Sequence, residues 1–177
     1  RGWLTGINKG FTQWGVTGRY FGEEIGYDKT TTASGATFAN PSYIGTTSGV
    51  VWKSKGDAVP RKYDFSYDNA LQLTGAPYQQ SSGASSWASS YMDFSVNSMS
   101  YDLNGNIKSL NQNGFVLGGG PAIDNLNYYY QNAEKSNKLQ TVIDLSNNPT
   151  SKLGDFHYTG SKTPSSVDYG YDNNGNR

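Results

Sequence analysis

Tyr101-Asp102-Leu103-Asn104-Gly105-Asn106-Ile107 decides how this chain is read. Asn-Gly between two limbs of alternating pattern is the strongest short signal for a β-hairpin, because glycine accepts positive φ without a steric cost. The stretch returns as Tyr171-Asp172-Asn173-Asn174-Gly175-Asn176, and a looser form starts at Tyr67-Asp68-Asn69 and is followed by Leu73. A short unit that recurs, and that cannot bury its apolar side alone, must lean on its neighbours. The chain is therefore expected to be all-β, a tandem array of antiparallel hairpins.

The limbs support this. Ahead of the turns, apolar and aromatic residues alternate: Tyr63, Phe65 and Tyr67; Met99 and Tyr101; Leu126, Tyr128 and Tyr130; Val167, Tyr169 and Tyr171. A spacing of two places them on one face of a strand. Behind the turns the apolar residues stand three apart: Leu73 and Ala76, Ile107 and Leu110, Leu139 and Val142. On a regular strand that spacing points them to opposite faces, so either the sheet is covered on both sides or each second limb carries a bulge.

These units resemble the YD-repeat, or Rhs, family of bacterial secreted and surface proteins, polymorphic toxins and animal teneurins. The residues that carry the resemblance are Tyr67-Asp68-Asn69 with Leu73, the complete unit from Tyr101 to Ile107, the variant from Tyr128 to Leu139, and Tyr169 to Asn176. Arg1-Gly2-Trp3-Leu4 and Gly49 to Ser54 are similar to the form found in surface and secreted proteins of gliding Gram-negative bacteria. The resemblance implies a curved, spiralling β-sheet that forms part of a hollow shell, enclosing or displaying a C-terminal toxin or effector. It also implies a secreted or cell-surface location, with outer-membrane secretion machinery as a partner beside the neighbouring repeats. The family's self-cleaving aspartate motif has no counterpart here.

Residues 1–177 are expected to be one segment of such an array. Gly2 to Asn8 overlays a second limb, and Asn174-Gly175-Asn176-Arg177 stops after a turn, so the segment is expected to be cut inside a hairpin at both ends.

Composition narrows the function classes. Fourteen Lys and Arg balance fourteen Asp and Glu, which argues against nucleic acid, whose phosphates need concentrated basic charge. The densest basic group, Lys53, Lys55, Arg61 and Lys62, is expected to be a solvated surface. No apolar run reaches the roughly 18 residues of a membrane span, so membrane insertion is not expected. The absence of cysteine excludes disulfides and thiolate metal sites. Fourteen tyrosines, seven phenylalanines and four tryptophans supply buried area to a thin sheet that is poor in aliphatic residues.

The candidate sites each have a plain structural explanation. Asp102, Asn104 and Asn106, like Asp172, Asn174 and Asn176, have the one-three-five spacing that opens a calcium loop, but the later glycine and glutamate are missing and turn chemistry accounts for them. His157 is the only histidine and has no triad partner. Glu23 and Glu24 are adjacent and so point apart, while Asp68 belongs to the repeat and Asp64 stands alone beside it. Trp3, Trp14, Trp52 and Trp87 suit packing between hairpins, with Trp87, in a serine-rich loop from Gln79 to Ser90, the best candidate for a glycan contact. Lys29 to Asn40 and Gln79 to Ser90 are expected to be loops at a sheet edge or on the surface, and Gln131 to Lys138 one helical turn. The expectation is a structural protein rather than an enzyme, with no catalytic, cofactor or metal residues. The alternative is an adhesin or glycan-binding surface module.

Overall fold

The computed structural model describes residues 2–84, 86–115, 120–149 and 154–176. The chain is all-β and antiparallel, as the hairpin pattern requires, and gathers into two compact units, Arg1–Ser95 and Val96–Arg177.

The first unit is built on an open six-stranded sheet. Its strands are β1 (Gly6–Ile7), β2 (Phe21–Gly26), β3 (Gly49–Ser54), β4 (Arg61–Asp64), β7 (Tyr78–Ser81) and β8 (Trp87–Ala88), adjacent in that order. Between β4 and β7 the chain makes an excursion as a two-stranded hairpin, β5 (Ser66–Tyr67) and β6 (Leu73–Gly75). The Asp64 N–H donates to the Pro77 carbonyl at 3.1 Å, so β4–β5 and β6–β7 are two limbs of one long hairpin.

Alternation along β3 divides its side chains between two faces. Gly49, Val51 and Lys53 are buried, while Val50, Trp52 and Ser54 are half-buried. On the Val51 side lie Ala36 and Phe38, with Trp87 packed against them. The Phe38 ring covers the facing pair Gly26 and Gly49, where an added Cβ would come within 2.3 Å of the ring, so only glycine fits at either place. On the other side Trp52 stacks on Tyr63 at 5.5 Å between ring centres, and Tyr63 continues to Phe65 at 6.2 Å.

Three expectations are corrected here. The Lys29–Asn40 stretch is not a mere surface elaboration, because its Ala36 and Phe38 are core residues at 2 % exposure each. Part of the Gln79–Ser90 stretch is sheet, with Ser81 facing Trp87 and Gln80 facing Ala88. The basic group is not a solvated face. Strand alternation sends Lys53 inward to 0 % exposure, its methylenes serving as an apolar stem, and Lys62 is 5 % exposed. The Lys53 ammonium donates to the carbonyls of Gln13 (2.9 Å) and Val16 (2.7 Å) and lies 4.7 Å from the centre of the Phe11 ring. Lys62 donates to the Thr37 carbonyl at 2.9 Å and pairs with Asp64 at 2.7 Å.

The second unit is a four-stranded antiparallel meander of β9 (Val96–Tyr101), β10 (Ile107–Asn113), β11 (Ala122–Tyr130) and β12 (Leu139–Asp144). Ile123, Leu126, Tyr130, Val142 and Ile143 are its buried apolar residues. The expected helical turn is present as α1 (Gln131–Glu134), but Asn132 (φ 57°) and Ala133 (φ 52°) have left-handed backbone, so it is not an ordinary α-helical turn. The aromatic run Val167-Tyr169-Tyr171 does not form a strand; Asp168 and Tyr169 donate their N–H groups to the Gln140 carbonyl instead. Of the glycine run before Pro121, Gly118 and Gly119 lie outside the described residues.

Candidate functional site

The feature that recurs is a five-residue turn organised by one carboxylate. Asp102 Oδ1 accepts the N–H groups of Asn104 (2.8 Å) and Asn106 (2.9 Å), and its Oδ2 accepts the Asn106 amide at 2.8 Å. The backbone closes with Gly105 N–H on the Asp102 carbonyl (3.1 Å) and Asp102 N–H on the Asn106 carbonyl (2.9 Å). Asp172 repeats this with Asn174 (2.9 Å), Asn176 (2.8 Å) and the Asn176 amide (3.0 Å). Asp68 does the same for Ala70 (2.8 Å) and Gln72 (2.9 Å).

Positive φ falls on the fourth residue in each: Gly105 at 84°, Gly175 at 82° and Leu71 at 63°. Asn104 and Asn174 are not left-handed, so the turn is not the two-residue type that Asn-Gly suggests. It is a turn closed by an i to i+3 bond and followed by one left-handed residue, the form that leads into a bulge.

The bulge follows at a fixed place. Tyr101 faces Ile107, but Ser100 faces Ser109, leaving Lys108 as the extra residue. Tyr67 faces Leu73 and Ser66 faces Gly75, leaving Thr74. Tyr130 faces Leu139 and Tyr129 faces Thr141, leaving Gln140. One residue inserted there brings the apolar positions three apart back to one face, which decides between the two readings of that spacing. The third hairpin has a longer loop, closed by Gln131 N–H on the Lys138 carbonyl (2.9 Å) and Tyr130 N–H on Glu134 Oε1 (3.1 Å). Adjacent hairpins are tied by the Tyr130 hydroxyl, which donates to the Ile107 carbonyl at 2.8 Å, and by the Lys108–Glu134 ion pair. Burial pushes the Tyr130 phenol up to about 12, with the nearby Asp102 charge adding to it.

The other candidate residues are mostly structural. The Asp102 carboxylate is held below its ordinary range, first by the Asn106 amide, and Asp172 likewise by Asn176. Their oxygens already serve their own turns. His157 is exposed on the segment after β12. Glu24 lies 3.8 Å from Lys9 and accepts the Ala33 N–H at 2.6 Å, and Glu23, one residue along β2, points away from it. Asp64 pairs with Lys62, while Asp68 organises its turn, so these two do not form a carboxylate pair. Trp52 belongs to the aromatic stack, and Trp3 lies against Tyr27 at 4.9 Å between ring centres. Trp14 is exposed. Trp87, the tryptophan singled out for a glycan contact, instead packs as the other reading expected, partly buried against Ala36, Phe38 and Val51 and placed there by the β7–β8 pairing.

Sequence reasoning passed over one cluster. Asp124 on β11, Asp144 at the end of β12 and Asp155 on the following segment each offer a carboxylate oxygen within 4.8 Å of the others. Asp124 is 4 % exposed and Asp144 2 %. Asp144 Oδ1 accepts the N–H groups of Asn125 (2.8 Å) and Ser146 (2.9 Å), and its Oδ2 that of Asn147. Asp124 Oδ1 accepts the Phe156 N–H at 2.8 Å. Asp155 is half-buried as a residue, but both its carboxylate oxygens are buried, and among the described residues the only group placed to share a hydrogen bond with them is the Asp124 carboxyl. Burial, with the Asp155 carboxylate next to it, pushes Asp124 up to about 6. The signal in the sequence is the repeated dipeptide Ile123-Asp124 and Ile143-Asp144, a charge set directly after a core position in two adjacent strands.

Comparison with known proteins finds no matching family model, no matching curated protein and no matching solved structure.

Proposed function

We propose that the chain is a structural segment of a large secreted or cell-surface protein of the YD-repeat type, a length of wall rather than a catalytic domain. In this reading each hairpin is a building unit whose partners are the hairpins beside it. The complete protein encloses or displays a C-terminal toxin or effector and is exported by a bacterial outer-membrane secretion system. The observation that carries the reading is the recurrence of one carboxylate-centred turn at Asp68, Asp102 and Asp172. The bulge beside the turn at Leu73, Ile107 and Leu139 adds to it. Hydrogen bonds that hold a turn in shape serve architecture, and they occupy the carboxylates that a catalytic site would need free.

Protease treatment of intact cells, followed by blotting with an antibody to this chain, tests the location. Cleavage on intact cells, or recovery from the culture medium, is the expected result. Protein released only on lysis contradicts it. Electron microscopy of the parent polypeptide tests the wall itself: a hollow particle is expected, and a string of separate globules contradicts it.

A further inference from the structure

The carboxylates of Asp124, Asp144 and Asp155 bring three formal negative charges together within the second unit. The ion pairs among the described residues of that unit, Lys108–Glu134 and Lys162–Asp168, leave them out. Asp144 is compensated by backbone N–H groups and Asp124 in part by Phe156 N–H, but Asp155 is not. Its two oxygens expose less than 1 Å² each and, among the described residues, have no donor other than the Asp124 carboxyl when that is protonated, and two buried carboxylates left charged side by side cost several kcal/mol. The fold nonetheless holds the segment in place. Phe156 N–H is bonded to Asp124, the Tyr158 hydroxyl to the Asp144 carbonyl at 3.1 Å, and Tyr158 N–H to the Asn147 side chain at 3.2 Å. Asp155 is therefore delivered to the cluster by a fixed backbone.

We infer that Asp124, Asp144 and Asp155 form a structural site for a divalent cation of the calcium class, which pins the 154–158 segment across β11 and β12. All three ligands are hard oxygens, with no nitrogen or sulfur that would select zinc or copper. Donors within 4.8 Å of one another suit a cation with bonds of about 2.3–2.6 Å, and an irregular strand-and-loop donor set suits calcium's flexible coordination more than magnesium's octahedron. The site differs from the one-three-five pattern at Asp102, whose oxygens are filled by their own turn.

The test is thermal unfolding of the whole 177-residue chain after chelation, with and without calcium or magnesium chloride at ~1 mM. Calcium is expected to raise the Tm by about 5 °C or more and magnesium by much less. Asp155→Asn should abolish the calcium response and, in chelator, melt above the unsubstituted chain because the orphan charge is gone. Asp102→Asn should keep the response. Calorimetric titration of the unsubstituted chain should find one calcium per chain, which keeps the proposal testable if Asp155→Asn does not fold. Absence of both heat and Tm shift overturns the site and leaves Asp124 and Asp155 as a carboxyl pair sharing a proton. A response that survives Asp155→Asn, or an equal response to magnesium, overturns the assignment as well.

Discussion

Leu71 holds the same place in its turn as Gly105 in its own, at φ 63° against 84°. The carboxylate frame around each is the same, with Asp68 and Asp102 binding the second and fourth N–H groups beyond them. A branched aliphatic residue with left-handed backbone costs about 1–2 kcal/mol that glycine avoids. The frame at Asp68 thus outweighs the wrong residue, and the turn forms without its glycine.

Exchanging the two residues measures that cost. Leu71→Gly should stabilise the chain by about 0.5–1 kcal/mol, less than the full strain because glycine also loosens the unfolded chain. Gly105→Leu should destabilise it by about 1–2 kcal/mol. Urea unfolding of each variant gives both values. A loss of stability in Leu71→Gly would show that Leu71 is held there by packing.

The turn carboxylates set a pH dependence with a definite sign. Asp102 is held below the ordinary carboxylate value of 3.8, first by the Asn106 amide and then by backbone N–H groups that outweigh the desolvation. A folded value below the unfolded one means the stabilisation is present above the unfolded pKa and lost as pH falls through the folded one. Carboxyl-carbon NMR should place Asp102 and Asp172 below 3.8, the ordinary value from which both are lowered. Asp102→Asn should remove the Asp102 part of the acid-side loss. Titration at or above the ordinary value would mean that the turn bonds do not persist in solution.

Lys53 is an internal strut. Lys53→Met keeps the stem's length but removes the ammonium and so both of its hydrogen bonds, to the Gln13 and Val16 carbonyls, at a cost of about 1–3 kcal/mol. Lys55→Met, whose ammonium sits over the Tyr20 ring at 4.5 Å on an exposed surface, should cost well under half of that. Equal losses in chemical denaturation would remove the distinction between the two lysines.

The turns at Asp102 and Asp172 and the alternation of Tyr63, Phe65 and Tyr67 were legible because each is local: a carboxylate, a glycine, a period of two. The Ile107–Leu110 spacing was legible only as a choice, since a bulge depends on the partner strand's register. The inward turn of Lys53 was hidden because charge alone reads as surface, while its position two residues after Val51 on an alternating strand outweighs that. Phe38 was lost in a stretch of small polar residues, although Gly26 and Gly49 leave room for a ring. Asp124, Asp144 and Asp155 are far apart in sequence, and only the strand pairing and the docked segment bring them together.

The repeat unit stands or falls on the bulge at Lys108. The chain has no cysteine, so paired cysteines report register without background. In the structure Met99 faces Leu110, whereas a strand without the extra residue would set Met99 opposite Ser109. Oxidation of the Met99→Cys/Leu110→Cys variant is predicted to give an intramolecular disulfide readily, and Met99→Cys/Ser109→Cys should give little. Efficient cross-linking of 99 to 109 instead would contradict the bulge, and with it the repeated unit on which the account rests.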